Sequence, residues 1–198
     1  MKKINHGTII FFAVLIFLSL IPISYGHAAG IREVTMDEML QESQFVFEGR
    51  VVAITAQKNN QNRIHTYVTF EIEEIIKGTC PRDTITLSFL GGTVGEETMA
   101  VSDMAFPQVG EHGIYFVESL ERSQVHPLYG WSQGHFLVER DSIGMDRVMT
   151  HRKQPVTEVT GDMVGAQMNY GISKGMAHAL TVDEFKKGLR ERLGGGSE

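Results

Sequence analysis

The residues of this sequence with chemistry to offer are its histidines, one cysteine and a run of glutamates. Imidazole nitrogen suits copper, and thioether sulfur suits copper in its reduced state. His27 becomes an N-terminal residue if a leader is removed after Gly26, and its amine and imidazole together would chelate the metal. His65, His126 and His135 are the histidines of the body that would complete such a site, and Met176 and His178 add donors from a glycine-rich stretch. Copper is the cofactor implied by this reading. The competing reading makes the histidines ordinary surface or loop residues of a protein with no cofactor.

Glu71 and Glu73 lie two apart in a strand-like run, so they share a face at a separation near that of glycosidase carboxylate pairs. The charged outer face of a surface strand accounts for them more simply. Thr79-Cys80-Pro81 reads as a turn with no histidine close by, which makes Cys80 a bystander thiol. The sequence holds no His-Glu-x-x-His, no Gly-x-Ser-x-Gly, no Walker loop and no dinucleotide fingerprint. A hydrolase therefore ranks third, behind a binding module and a copper protein. The binding residues expected are Tyr129, Trp131, His135 and Phe136, aromatic and amphipathic groups at loop ends that offer apolar area with a polar handle. Trp131 serves equally well as a core plug at a barrel end.

These groups need a scaffold, and its outline is legible. Met1-Lys2-Lys3, an apolar run from Ile9 to Ile21 and the small residues after Pro22 form the three-part pattern of a secretory signal, assigned to residues 1–28. The run is shorter than the roughly 20 residues needed to span a bilayer. With 18 basic against 24 acidic residues the net charge is −6, which disfavours nucleic acid as a partner. One cysteine rules out an internal disulfide.

Thr35 to Ser43 reads as a helix opened by a capping box, in which Thr35 caps and Glu38 reaches back. Strand patterns follow at 45–55, 64–76, 84–90, 96–102, 113–117, 131–139 and 147–150, with turn chemistry between them. The alternation of 64–76 slips phase between Glu73 and Ile75, the mark of a β-bulge or strand end. Gly113 to Val117 is apolar throughout, as a strand covered on both faces would be. Residues 151–180 form a Gly/Met-rich linker or wrap, and a second capping box at Thr181 opens a helix over 181–193 with Phe185, Leu189 and Leu193 in one stripe. The fold class expected is mainly β: a small closed or partly open barrel of about seven strands within residues 29–150, with a short N-terminal and a C-terminal helix.

The order of Ser43-x-x-Val46-Phe47-x-Gly49-x-Val51, Thr66-Tyr67-Val68, Ile76-Lys77-Gly78, Leu90-Gly91-Gly92, Phe106, Gly110-Glu111 and Gly130-Trp131-x-Gln133-Gly134 resembles a group of uncharacterised exported bacterial proteins. Such domains are similar in outline to OB-type barrels, including the netrin-like barrel of the tissue inhibitors of metalloproteinases. Those inhibitors chelate protease zinc through an N-terminal cysteine and carry several disulfides; this chain has neither, so the resemblance implies the barrel and leaves inhibition an analogy. Taken together, the expectation is an exported, non-enzymatic binding module of the periplasm or the extracellular space. Its partner is a protein, conceivably a secreted protease, or another extracellular ligand, and it meets the membrane only transiently through its signal.

Overall fold

A computed structural model describes residues 32–159 and 178–195. The chain is mainly β. Helix α1 (Met36–Glu42) leads into β1 (Phe45–Lys58), β2 (Ile64–Lys77), β3 (Thr84–Leu90), β4 (Gly92–Val94), β5 (Glu97–Met99), β6 (His112–Val117), a 3-10 turn (Trp131–Gly134), β7 (His135–Arg140), β8 (Asp146–Thr150) and α2 (Val182–Gly195). Six strands form one antiparallel sheet in the order β3-β2-β1-β6-β7-β8, and β4 pairs with β5 apart from it. Of the closed or partly open barrel expected, the closed form is not found: the sheet ends at β3 and β8, and no ladder joins them among the described residues. Among those residues no helix is long and apolar enough to cross a membrane.

The sheet curls rather than closes. In a flat sheet β2 and β6 would stand about 9–10 Å apart with β1 between them, yet the rings of Phe70 and Tyr115 meet with centroids 4.6 Å apart. Bulges drive the curl, because an unpaired residue bends its strand and raises its twist. The β1–β2 register skips Ile76, Glu73 and Val52 in turn, so the phase slip read at Glu73 is a bulge. Gly91 and Gly92 turn the chain out of β3 at φ 100° and 124°, and a Cβ on Gly92 would lie 2.2 Å from Thr66 Oγ1. No side chain fits there.

Both faces of the sheet carry buried clusters, the outer one where the two helices cover it. On the inner face Phe45, Phe47, Val68, Phe70, Leu87, Phe89 and Tyr115 pack together. On the other, Val46, Ile114, Phe116, Phe136 and Val148 lie under Met36, Met39 and Leu40 of α1 and Phe185 and Leu189 of α2. Strand β6, fourth in the order, is buried from Gly113 to Val117, as its unbroken apolarity predicts. Thr181 and Glu184 form the reciprocal capping box of α2. The box expected at α1 is half made: Thr35 Oγ1 accepts from the Glu38 amide at 3.0 Å, but the Glu38 carboxylate turns away to Arg32 and the Tyr129 hydroxyl. At the far end of α1, Lys77 Nζ donates to the carbonyls of Gln41 and Ser43 at 3.0 and 2.7 Å, where the helix dipole favours a cation.

Candidate functional site

The expected binding residues do not share a surface. His135 and Phe136 are consecutive in β7, so their side chains face opposite sides of the sheet. Phe136 is fully buried between Phe116 and Phe185 and offers no contact area, a correction to its expected place at a loop end. His135 is also buried, stacked on Tyr115. Its Nε2 lies 2.8 Å from Glu111 Oε1, but the ring is not aimed along that line, so no hydrogen bond forms. Tyr129 is half-buried and donates its hydroxyl to Glu38 at 2.7 Å. Trp131, at φ 59°, stacks on His126, which packs edge-on against Phe89. It therefore stands at the rim of the inner cluster.

The expected copper donors are likewise dispersed. His27 and Met176 lie outside the described residues. His65 is buried with its nitrogens 3.3 Å from Asn59 Nδ2 and 3.1 Å from Ser88 Oγ, and His178 is exposed. His126 is a core histidine: burial, joined by the nearby His135, lowers its pKa to about 3. Its Nδ1 accepts from the Leu128 amide, which assigns the hydrogen to Nε2. Among the described residues His65, His126, His135 and His178 share no ligand cluster.

Two better-built features are formed mostly by residues that the sequence did not single out, with Glu73 and Cys80 as the exceptions. The first is a chain of ionisable groups on the helix face, Arg50–Glu73–His112–Glu48–Lys186–Glu74–Arg190. Glu48 Oε1 lies 2.9 Å from His112 Nε2 and Glu48 Oε2 lies 2.6 Å from Lys186 Nζ. Lys186 also holds Glu74 at 2.6 Å, and Arg190 pairs with the same carboxylate. His112 Nε2 is 3.1 Å from Glu73 Oε2, and Arg50 lies 3.4 Å from Glu73 Oε1. The bulge makes this arrangement. It leaves Glu73 without a β1 partner, so that Glu73 and Glu74 both reach the group around Glu48, while Glu71 stays exposed. Burial opposes the charge on Glu48, but hydrogen bonds from His112 and Lys186 outweigh it and hold the carboxyl below its usual range. Burial likewise opposes the charge on Lys186, and its bonds to Glu48 and Glu74 raise its pKa in spite of it.

The second feature is a groove of about 490 Å³ between β3 and the loop 119–127, a volume within the range of ligand sites. Leu90 N–H donates outward to Val125 O, whereas Gly91 N–H donates to Ile64 O on β2 and Asp83 O accepts from Ile72 N–H. By the alternation of an antiparallel ladder, Thr84, Thr86 and Ser88 also turn their backbone groups outward. None of the three has a backbone partner on that side among the described residues. All three line the groove, together with Arg82, Arg122 and Gln124, and among the described residues no carboxylate does. The Gln124 side-chain oxygen is buried there without a partner. Cys80 lines the same groove, and among the described residues no histidine does. The loop's basic residues carry no sequence periodicity, whereas the edge strand does: Thr84, Thr86 and Ser88 alternate with Ile85, Leu87 and Phe89. The alternation marks a strand with one polar side, but not that its backbone groups lack a neighbour.

Compared with known proteins, the chain matches no family, no curated protein and no solved structure.

Proposed function

We propose that this chain is an exported, non-enzymatic binding module that captures an extended segment of another protein along β3. The observation that carries the reading is the open edge: three outward-turned residues, Thr84, Thr86 and Ser88, border a groove of about 490 Å³. An extended peptide added to such an edge gains main-chain hydrogen bonds, and alternate side chains set its specificity. Arg82 on the lining, and Arg122, which also pairs with Glu118 at 3.2 Å, favour a segment that carries carboxylates. Export rests on the N-terminal signal pattern. The curled, unclosed sheet is read as the partly open form of an OB-like barrel.

The test exploits a property of proline, which lacks an amide hydrogen and is tolerated at edge positions whose N–H faces outward. Thr86→Pro leaves the fold intact by circular dichroism and blocks strand addition. A display library of random heptapeptides selected on the wild-type protein yields acidic, β-branched sequences that lose binding to Thr86→Pro. Selected peptides that bind Thr86→Pro as well as the wild type would refute the reading.

A further inference from the structure

We infer that Glu48, Glu73 and His112 form a zinc site, independent of the β3 groove. Glu48 Oε1, Glu73 Oε2 and His112 Nε2 all lie within 4.8 Å of one another. The imidazole nitrogen is 2.9 Å from the first oxygen and 3.1 Å from the second. Ligand atoms about 2.0–2.2 Å from a common metal are themselves about 3.0 to 3.5 Å apart, depending on octahedral or tetrahedral geometry. Two sides of the triangle are thus already near the separation a metal requires.

Hydrogen bonding alone does not account for this triangle. One ring nitrogen carries at most one hydrogen, and the His112 hydrogen bond goes to Glu48. Glu73 Oε2 stands 3.1 Å from the same nitrogen without a hydrogen bond from it. A cation placed among the three atoms binds both oxygens and the nitrogen lone pair at once, in place of the single hydrogen.

The outer oxygens are anchored, which turns the inner ones toward that point. Lys186 holds Glu48 Oε2 at 2.6 Å, and Arg50 lies 3.4 Å from Glu73 Oε1. Partners of this kind orient a metal's ligands and are a regular part of metal sites. Glu48 rises from the buried floor with its side chain 8% exposed, while Glu73 is 38% exposed and leaves the site open toward solvent. One imidazole and two carboxylates are a donor set that suits zinc, and three protein ligands leave a fourth position for water or for a group of a bound partner. The cationic neighbours Lys186 and Arg50 temper the attraction, so micromolar affinity is expected rather than the tight binding of a closed thiolate site.

The test is equilibrium dialysis of the whole protein against zinc, with metal counted by mass spectrometry, and a visible spectrum of the protein loaded with cobalt(II). The wild type takes up one zinc per chain, and cobalt gives the absorption bands of a four- or five-coordinate site. Glu73→Gln, at the exposed corner, keeps the melting temperature of the metal-free protein while affinity falls at least tenfold and the cobalt bands shift or vanish. His112→Gln lowers the affinity and the cobalt bands in the same way, whatever its own effect on stability, because it too removes a ligand. No zinc above the level of a metal-free control would overturn the site, as would zinc retained undiminished by Glu73→Gln, which would place the metal elsewhere in the chain. Peptide capture at β3 is scored separately with Thr86→Pro, so either inference can fail alone.

Discussion

On the inner face of the sheet Phe45, Phe47, Phe70 and Tyr115 meet ring against ring, Phe89 meets Phe106 and His126, and Glu111 and His135 stand beside Tyr115. On the helix face, a line of acids and bases from Arg50 to Arg190 runs beside the apolar contacts and ties α2 to β1, β2 and β6. The inner face draws its stability from area, which is non-directional. The helix face adds directional bonds whose loss leaves a buried charge. Each face should therefore fail in its own way.

The largest effects come from emptying either face. Phe47→Ala removes a fully buried ring that contacts Phe45, Phe70 and Tyr115, and should cost about 3–5 kcal/mol in denaturant unfolding. Glu48→Ala should cost a similar ~3–5 kcal/mol for the opposite reason, since it takes from the interior Lys186 its most buried carboxylate. The comparison sharpens in the double variant Glu48→Leu with Lys186→Met. Replacing a buried pair by apolar groups of like volume is often close to neutral, so most of the loss should be recovered on the helix face. A double variant as unstable as Glu48→Ala would show that the remaining members of the line depend on this pair.

Acid separates the two faces next. His126 has its pKa depressed to about 3, mainly by burial, from an unfolded value of about 6.5. The unfolded chain therefore binds a proton that the folded chain refuses, and stability falls as pH drops below about 6.5 and levels off below about 3. Glu48 and Glu74 have lowered pKa values, so their contribution is complete above about 4.3 and is lost as pH falls through the folded values. Between about pH 6.5 and 4.3 the inner face responds while these carboxylates do not. His126→Phe should flatten a urea-stability profile across that window, with a residual slope from His151, whose pKa burial also lowers. A profile as steep as that of the wild type would remove His126 from the account. The smallest effect is at a helix end: Thr181→Ala should cost about 1 kcal/mol, because Thr181 Oγ1 accepts from the Glu184 amide. Unchanged thermal stability would show that this cap contributes nothing.

Local signals were legible wherever one residue type answers to one local requirement. The strand Thr84–Leu90, the two helices with their threonine caps, the bulge at Glu73 and the unbroken apolarity of β6 can all be read along the chain. The reading went astray where burial is decided by neighbours distant in sequence. Phe136 looks like a loop-end aromatic until α2 lays Phe185 over it. Lys186 and Arg190, four apart beside the Phe185–Leu189 stripe, look like a solvated flank until the bulge presents Glu74 to both. His112 bears no motif at all. It matters because β6 sets it opposite Arg50 and within reach of Glu48 and Glu73.

By itself the sequence determined the β class, the periods of its strands, the positions of its caps and turns and a compact apolar strand at the centre, since these follow from backbone preferences acting over a few residues. The curl of the sheet without closure, the meeting of Glu48, Glu73 and His112, and the unpaired edge along β3 were decided by the tertiary structure. Each depends on register and curl, which are set by how three bulges sum across strands that lie far apart in the chain.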